Sequence, residues 1–387
     1  MRSIALIIPG LDRIGGAERQ LILLAKGLRK RGWQVSVVAL SGTGGTAATE
    51  LTAHGVQFLS LGMRKGLAGP SGWIHFHLWL RRNRPDVVHA HLPHASWFDR
   101  WSRLARPVRV MVDTLHSSST GTLGRRLGYR CSNWLPDKVT AVSHAVAGTH
   151  LAAAMVGEDK LIVLPNGVDV EEWRPDPLAR SAARREFRLD DEFLWFAAGR
   201  LDTVKDYPTL LKAMVGVPEP ARLVIAGAGP LENELRRLSK DLGLESRVRF
   251  LGFEPDVRRR MQAADGFVLS SRMEGLPMSL LEAAACAVPA VATDVHGTRE
   301  AILDGQTGWL ASAGSPHALR DSMSLMMQTP WQKRKAMGEC ARQSVIEHFS
   351  LDAVLDRWEA LFTDLLQSHP KAWRWGAPCV TSHILPD

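Results

Sequence analysis

The chain has 387 residues, 45% of them hydrophobic and 23% charged, which supports one large core or two of ordinary size and excludes a mostly disordered chain. Its four cysteines, Cys131, Cys286, Cys340 and Cys379, lack the spacing of a zinc site or a disulfide framework, and a reducing cytoplasm fits them best. The net charge of +8 is uneven: residues 1–174 hold 22 Lys and Arg against 12 Asp and Glu, and residues 64–134 hold 12 against 3.

The chain opens on Ile4-Ala5-Leu6-Ile7-Ile8, too short an apolar run for a signal-peptide core, so 3–9 is predicted as a buried first strand. Leucines and alanines at helical spacing follow over 17–31, closed by Gly32 as a C-cap. Runs without polar alternation predict strands at 34–40, 56–61, 86–91, 108–113, 138–143 and 161–164, several of them Val- and Ile-rich as in sheets covered on both faces. The alternation lapses over 170–192, where Trp173-Arg174-Pro175-Asp176-Pro177 marks a linker. It resumes with strands at 194–199, 221–226, 248–253, 266–270, 288–293 and 309–311, and from about 314 to 367 the chain is helical. Residues 370–387, with Pro370, Pro378 and Pro386, predict a loose tail. No run of about 18 apolar residues predicts a membrane span.

The βαβα order argues for parallel sheets with helices on both faces, in two doubly wound units. Their expected extents are 1–174 and 175–350, followed by a terminal helix, 351–369, packing back on the first unit. Open parallel sheets bind ligands at the carboxyl ends of their strands. Two such units facing each other enclose a cleft between their loops.

Four motifs fall on those loops. Gly15-Gly16-Ala17-Glu18-Arg19 turns from the first strand into a helix, either as a plain turn or as a close approach to phosphate. Ile225-Ala226-Gly227-Ala228-Gly229-Pro230 is not a dinucleotide fingerprint, because Leu231-Glu232 stands where the third glycine belongs. It is a tight strand-to-helix turn or a nucleotide contact. Arg200 and Lys205, in the loop after strand 194–199, suit a diphosphate as fork and point charge, or are solvated loop cations. The strongest motif runs from Ser271 to Ala283. Glu274 lies before a helix opened by Pro277, Gly275 permits unusual backbone, and the N–H groups of Met278, Ser279 and Leu280 face the cleft. Glu282 is set among Leu280, Leu281 and Ala283, so its carboxylate needs a partner.

Gly15-Gly16-Ala17-Glu18-Arg19, Arg200 with Lys205, and Glu274-x7-Glu282 followed by Val288-Pro289-Ala290-Val291-Ala292-Thr293 resemble, in this order, a family 4 retaining glycosyltransferase. The resemblance covers about residues 3–367. It implies the GT-B fold: α/β, two facing doubly wound Rossmann-like domains with the active site in the cleft. By the same resemblance Arg200 and Lys205 bind the donor diphosphate, Glu274 contacts the transferred sugar, and Glu282 holds the ribose. Gly15, Gly16, Gly275, Leu276, Met278, Ser279 and Leu280 complete the donor site. His116, in Thr114-Leu115-His116-Ser117, matches a family histidine that hydrogen-bonds the donor sugar. His89, His91 and His94 end the strand at 86–91 and line the acceptor side, or are structural. Asn166-Gly167-Val168-Asp169 matches a family turn, read as mainly structural.

The implied reaction is a front-face transfer from a nucleoside-diphosphate sugar, in which the departing diphosphate helps deprotonate the acceptor. No cofactor and no metal are expected, since no strand-end Asp-x-Asp motif is present. UDP is favoured over GDP on family frequency. The aromatic and basic residues of 73–84, 97–106 and 125–134 suit an anionic bilayer surface, or divide into core aromatics and solvated arginines. No nucleic-acid motif accompanies the charge. The expected acceptor is therefore a lipid-linked glycan at the inner face of the cell membrane, in surface-polysaccharide or lipopolysaccharide assembly. A soluble disaccharide or its phosphate as product, a nucleotide-sugar epimerase and a non-catalytic sugar-nucleotide binder are the rival readings.

Overall fold

The computed structural model describes residues 2–63 and 70–369. The basic residues Arg64 and Lys65 and the expected tail, 370–387, lie outside the described residues. The first half alternates β1 (Ser3–Ile8), α1 (Gly16–Lys30), β2 (Gln34–Ala39), α2 (Gly45–Ala53), β3 (Gln57–Ser60), α3 (Pro70–Asn83), β4 (Val87–His91), α4 (Pro93–Ala105), β5 (Val110–Leu115), α5 (Leu123–Ser132), β6 (Lys138–Ala141), α6 (His144–Ala152) and β7 (Leu161–Val163). The second runs α7 (Pro177–Phe187), β8 (Phe193–Ala198), α8 (Tyr207–Val215), β9 (Ala221–Ala226), α9 (Glu232–Asp241), β10 (Val248–Gly252), α10 (Val257–Gln262), β11 (Gly266–Leu269), α11 (Met278–Ala285), β12 (Ala290–Thr293), α12 (His296–Arg299), β13 (Gly308–Ala311) and α13 (Pro316–Gln328). Two long helices, α14 (Trp331–Phe349) and α15 (Leu351–Ser368), close the described chain.

The strands form two parallel sheets, ordered β3-β2-β1-β4-β5-β6-β7 and β10-β9-β8-β11-β12-β13. Each sheet reverses direction beside its first strand, which opens a crevice at the carboxyl edge. Every residue of β4, β5 and β8 is buried, as in strands covered on both faces; β8 is unbroken apolar, whereas β4 and β5 carry His89, His91, Asp113 and Thr114 into the interior. Gly32 takes φ +88° just past α1, the left-handed conformation that ends a helix.

The stretch read as a linker is partly helical. Asp176 caps α7 by accepting from the N–H groups of Leu178 and Ala179, both at 3.0 Å, and Pro177 occupies the first turn. Arg180 and Arg184 of α7 grip Asp265 at 2.5 and 2.8 Å, fastening the helix to the second sheet. The same Pro-rich composition that marks a linker marks a helix start, and the Asp-Pro pair was the signal for the latter.

α15 packs against α1. Leu355 fills the space that a side chain at Gly27 would need, and Arg31 pairs with Asp352, Asp356 and Glu359 at 3.3, 2.6 and 2.8 Å. Trp33 donates its indole N–H to Glu359 at 2.7 Å. The first and the last described elements thus share one core, with Trp358 and Phe362 of α15 buried among residues of α1, β1 and β2.

A fully buried ion pair lies under α4 and α5. Arg100 Nε and Asp113 Oδ2 are 2.6 Å apart with both side chains at 0% exposure, and Arg100 also donates to Ser132 Oγ at 2.9 Å. Burial pushes the carboxyl of the neighbouring Asp99 well above its ordinary range, and the Asp113 charge adds to the shift.

Candidate active site

The loops that follow β8 and β11 are laced together before any ligand is considered. Asp202 Oδ1 accepts from the N–H groups of Val204 and Lys205, both at 3.1 Å, winding the 200–205 loop around one carboxylate. Ser270 Oγ donates to the Lys205 carbonyl at 2.8 Å, and the Arg272 N–H donates to the Val204 carbonyl at 2.8 Å. Arg272 also pairs with the buried Asp206 at 2.9 Å. This lacing delivers Lys205 Nζ to Glu274 Oε1 at 2.6 Å, and Ser271 Oγ donates to the same oxygen at 2.6 Å.

Arg200 does not join Lys205 on a common partner. It turns to Asp202, with Nε at 2.6 Å and Nη2 at 2.5 Å from Oδ2, and its side chain is 74% exposed. The expected convergence of the two cations is therefore replaced, in this state, by two separate ion pairs in adjoining loops. The glycines at 227 and 229 are spacers. A side chain at Gly227 would strike the Gly199 carbonyl, and one at Gly229 the Leu201 carbonyl, so both hold the loops after β8 and β9 in contact.

α11 begins at Met278 with Pro277 as its N-cap. Among the described residues the N–H groups of Met278 and Ser279 have no partner, as the first turn of a helix dictates. That of Leu280 differs from expectation: it already donates to the Pro277 carbonyl at 3.1 Å. Glu282, one turn on, is half-buried; its carbonyl accepts from the Cys286 N–H at 3.1 Å, but its carboxylate makes no hydrogen bond among the described residues. Desolvation pushes its carboxyl up to about 7; Arg19 opposes the shift and Glu172 adds to it. The partner its apolar helix requires is not supplied by the described residues.

The first half faces this surface closely. Gly275 leaves no room for a side chain against the His116 carbonyl, and Ser118 Oγ donates to the Glu274 carbonyl at 3.4 Å. Leu276 is held by Asn166, whose Nδ2 donates to its carbonyl at 3.0 Å. Gly16 sits where an added Cβ would meet Met278 Cγ at 3.7 Å, at the start of α11. The Gly15 N–H is occupied, donating to Glu18 Oε2 at 3.0 Å in the α1 cap. The Lys205–Glu274 pair thus lies beside the Gly275 contact to the His116 carbonyl, and Gly16 of α1 lies at the start of α11.

The strand-end histidines divide. His94 is exposed on α4. His89 and His91 do not line an open acceptor side: they are 0% and 2% exposed. Their position inside β4, flanked by sheet neighbours, points them into the layer beneath. His89 Nε2 bonds Thr114 Oγ1 at 2.6 Å and its ring lies 4.7 Å from Trp358. His91 Nδ1 bonds His116 Nε2 at 3.0 Å. Burial lowers the His116 pKa to about 4, so the ring is neutral at pH 7.

Sequence reasoning missed Glu300. Across the cleft its carboxylate accepts from the N–H groups of His144 and Ala145 at the start of α6, both at 2.9 Å. It comes after His296-Gly297-Thr298-Arg299, beyond β12, and Gly297, pressed against the Gly275 carbonyl, was the available signal.

Two family models account for most of the chain: Glycosyltransferase Family 4 matches residues 14–172 and Glycosyl transferases group 1 matches residues 180–344. The chain belongs to the family 4 glycosyltransferases. Among relatives, N-acetyl-alpha-D-glucosaminyl L-malate synthase of Bacillus anthracis is 27% identical over 300 residues, 74% of this chain and 77% of that one. UDP-Gal:alpha-D-GlcNAc-diphosphoundecaprenol alpha-1,3-galactosyltransferase of Escherichia coli is 23% identical, over 76% of this chain and 79% of its own. Anabaena HepE, solved in complex with UDP and glucose, superposes with a TM-score of 0.85 at 22% identity, covering 94% of this chain and 100% of its own. The fold is GT-B, and this family 4 protein is a glycosyltransferase.

Proposed function

We propose that this glycosyltransferase moves a hexose or N-acetylhexosamine from a nucleoside-diphosphate sugar to a lipid-linked glycan, with retention at the anomeric carbon and without a metal, in surface-polysaccharide or lipopolysaccharide assembly. Residues 1–174 form the acceptor side and 175–350 the donor side. The observation that carries the chemistry is the Lys205–Glu274 pair in the loop whose Gly275 packs on the His116 carbonyl of the facing half, just before the open end of α11. UDP is the favoured base carrier, supported by the UDP in the HepE complex and in the name of the Escherichia coli relative.

In this reading the acceptor hydroxyl attacks the anomeric carbon on the face from which the diphosphate leaves. The bond from that carbon to the phosphate oxygen breaks, the bond to the acceptor oxygen forms, and the hydroxyl proton passes to the departing phosphate. No carboxylate acts as nucleophile: Glu274 is engaged by Lys205 and Ser271, and Glu282 lies a turn inside α11. Lys205, Arg200 and the N–H groups of Met278 and Ser279 stabilise the leaving charge. Glu274 and His116 hold sugar hydroxyls, and Glu282 takes the ribose hydroxyls as the partners it otherwise lacks.

The lipid acceptor rests on α3, α4 and α5, which lie side by side: Trp73 of α3 is 4.9 Å from Phe98 of α4, and Trp97 of α4 presses on Gly128 of α5. Large apolar side chains stand exposed at helical spacing on each: Ile74 and Leu78, Trp97, Trp101 and Leu104, Leu123 and Leu127. Among them are Arg81, Arg82, Arg126 and Arg130, all exposed, while Asp99, the acidic residue of these helices, is buried. Phe76, Phe98 and Tyr129 are core, so the segment divides between packing and a basic, apolar outer face. The name of the Bacillus anthracis relative favours a second reading, a small soluble acceptor.

Thermal shift against UDP-, GDP-, ADP- and TDP-sugars tests the donor site. One nucleotide stabilising the wild type, with the effect lost in Glu282→Ala and Arg200→Ala, is the expected result. Folded protein that responds to none of them overturns the assignment.

A further inference from the structure

A small cavity of about 20 Å³ lies beside the loop that carries His116. That is room for one water molecule. His91, His116, Thr114, Asn166 and Trp358 of α15 are among the residues that line it. Two of these residues bring a buried polar atom without a partner among the described residues, His91 Nε2 and Asn166 Oδ1. The far end of each is committed. His91 Nδ1 bonds His116 Nε2 at 3.0 Å, and Asn166 Nδ2 donates to the Leu276 carbonyl at 3.0 Å, in the loop that carries Glu274. Buried polar atoms are almost always satisfied, and an internal water needs at least two partners. This cavity offers two.

The layer behind His91 is ordered by hydrogen-bond direction. Thr140 Oγ1 donates to the Asp113 carbonyl at 3.2 Å, so it receives the Thr114 hydroxyl hydrogen at 2.7 Å. Thr114 Oγ1 in turn accepts from His89 Nε2–H at 2.6 Å. His89 is thereby fixed in one tautomer, and its ring centre lies 4.1 Å from that of His91. Burial holds all three imidazoles neutral, so a single hydrogen is shared in the His91–His116 bond. Whichever nitrogen carries it decides whether the remaining nitrogen of His116 donates or accepts.

We propose that His91 and Asn166 are positioning residues for His116, joined by one water in this cavity, and that together they set the orientation and tautomer of the His116 ring. The proposal rests on the reading of His116 as a contact to the donor sugar. It also makes the His116 ring responsive to the donor loop, because Asn166 holds Leu276 with its other end.

A double-mutant cycle tests it. Turnover is read as release of nucleoside diphosphate from whichever of UDP-, GDP-, ADP- and TDP-glucose stabilises the protein. His91→Phe keeps a ring and removes both nitrogens. The expected result is a kcat lower by about 10- to 100-fold with donor KM and Tm near wild type, and no further loss when the same change is made in His116→Ala. Asn166→Leu is expected to lower kcat in the same way. Should His91→Phe not fold, His91→Gln, whose amide can both donate and accept, is expected to recover more kcat than His91→Ala. Equal losses from His91→Phe in both backgrounds make His91 a packing residue and overturn the proposal. Unchanged kcat in Asn166→Leu overturns the water bridge. Full kcat in His116→Ala overturns instead the reading of His116 itself.

Discussion

Glu282 is the residue whose surroundings conflict most with its charge. Its carboxyl is pushed up to about 7 by desolvation, above the ordinary value of 4.5. The folded state therefore holds a proton that the unfolded chain releases, and stability is lost as pH rises from about 4.5 through 7. Glu282→Gln removes that loss, so the variant is expected to melt higher than wild type at pH 8, by roughly 1–3 kcal/mol for this half-buried group, and to match it at pH 5. Melting curves at the two pH values check this, and an equal difference at both refutes it. The same variant is expected to bind nucleotide-sugar more weakly, a trade of function against stability found where a site holds a charge without a partner. The histidines act in the opposite sense. The His116 pKa of about 4, and the still lower one of His89, favour the folded state above pH 6.5 and withdraw that support on acidification. Comparing Glu282→Gln with wild type isolates the carboxyl from them.

Between elements, one contact that joins the two halves is Glu300 at the start of α6. A carboxylate there meets two free N–H groups and the positive end of the helix. Such a contact contributes about 0.3–1 kcal/mol to holding the halves together. Glu300→Ala is therefore expected to loosen the two halves against each other, raising donor KM by roughly 2- to 5-fold and enlarging the radius of gyration in small-angle scattering. Unchanged KM and unchanged scattering exclude a latch. The residues needed were all visible in the sequence, but Glu300 and Ser143-His144 are far apart along it, and nothing in either stretch names the other. α7 was concealed differently: Asp176-Pro177 reads equally as a turn or as a cap, and the grip of Arg180 and Arg184 on Asp265 decided for the helix.

For the whole molecule, the basic charge and the apolar stripes coincide on one layer, α3 to α5. No described helix is long and apolar enough to cross a membrane. The protein is expected to float with vesicles containing anionic lipid, to release them as salt rises, and to lose binding in Trp101→Ala combined with Arg126→Ala. Equal recovery with neutral and anionic vesicles, or none with either, favours the soluble acceptor.

The strands, the two doubly wound units, the loops that bear Arg200, Lys205 and Glu274, and the helix that bears Glu282 were legible in the sequence, and the motif resemblance supplied GT-B. Burial on both faces forces unbroken apolar runs at regular intervals, and parallel sheets place the loop after each run at the ligand edge. Hydrogen-bond and charge partners were not legible, since pairing depends on distances that only folding sets. The tertiary structure decided that Arg200 turns to Asp202, that Lys205 meets Glu274, and that His91 lies sealed behind His116 rather than open to an acceptor. A local pattern records whether a residue is covered, because period and polarity are properties of neighbours in the chain. It does not record what covers it, because that neighbour arrives from elsewhere: Trp358, from the last helix, lies against His89 on the fourth strand.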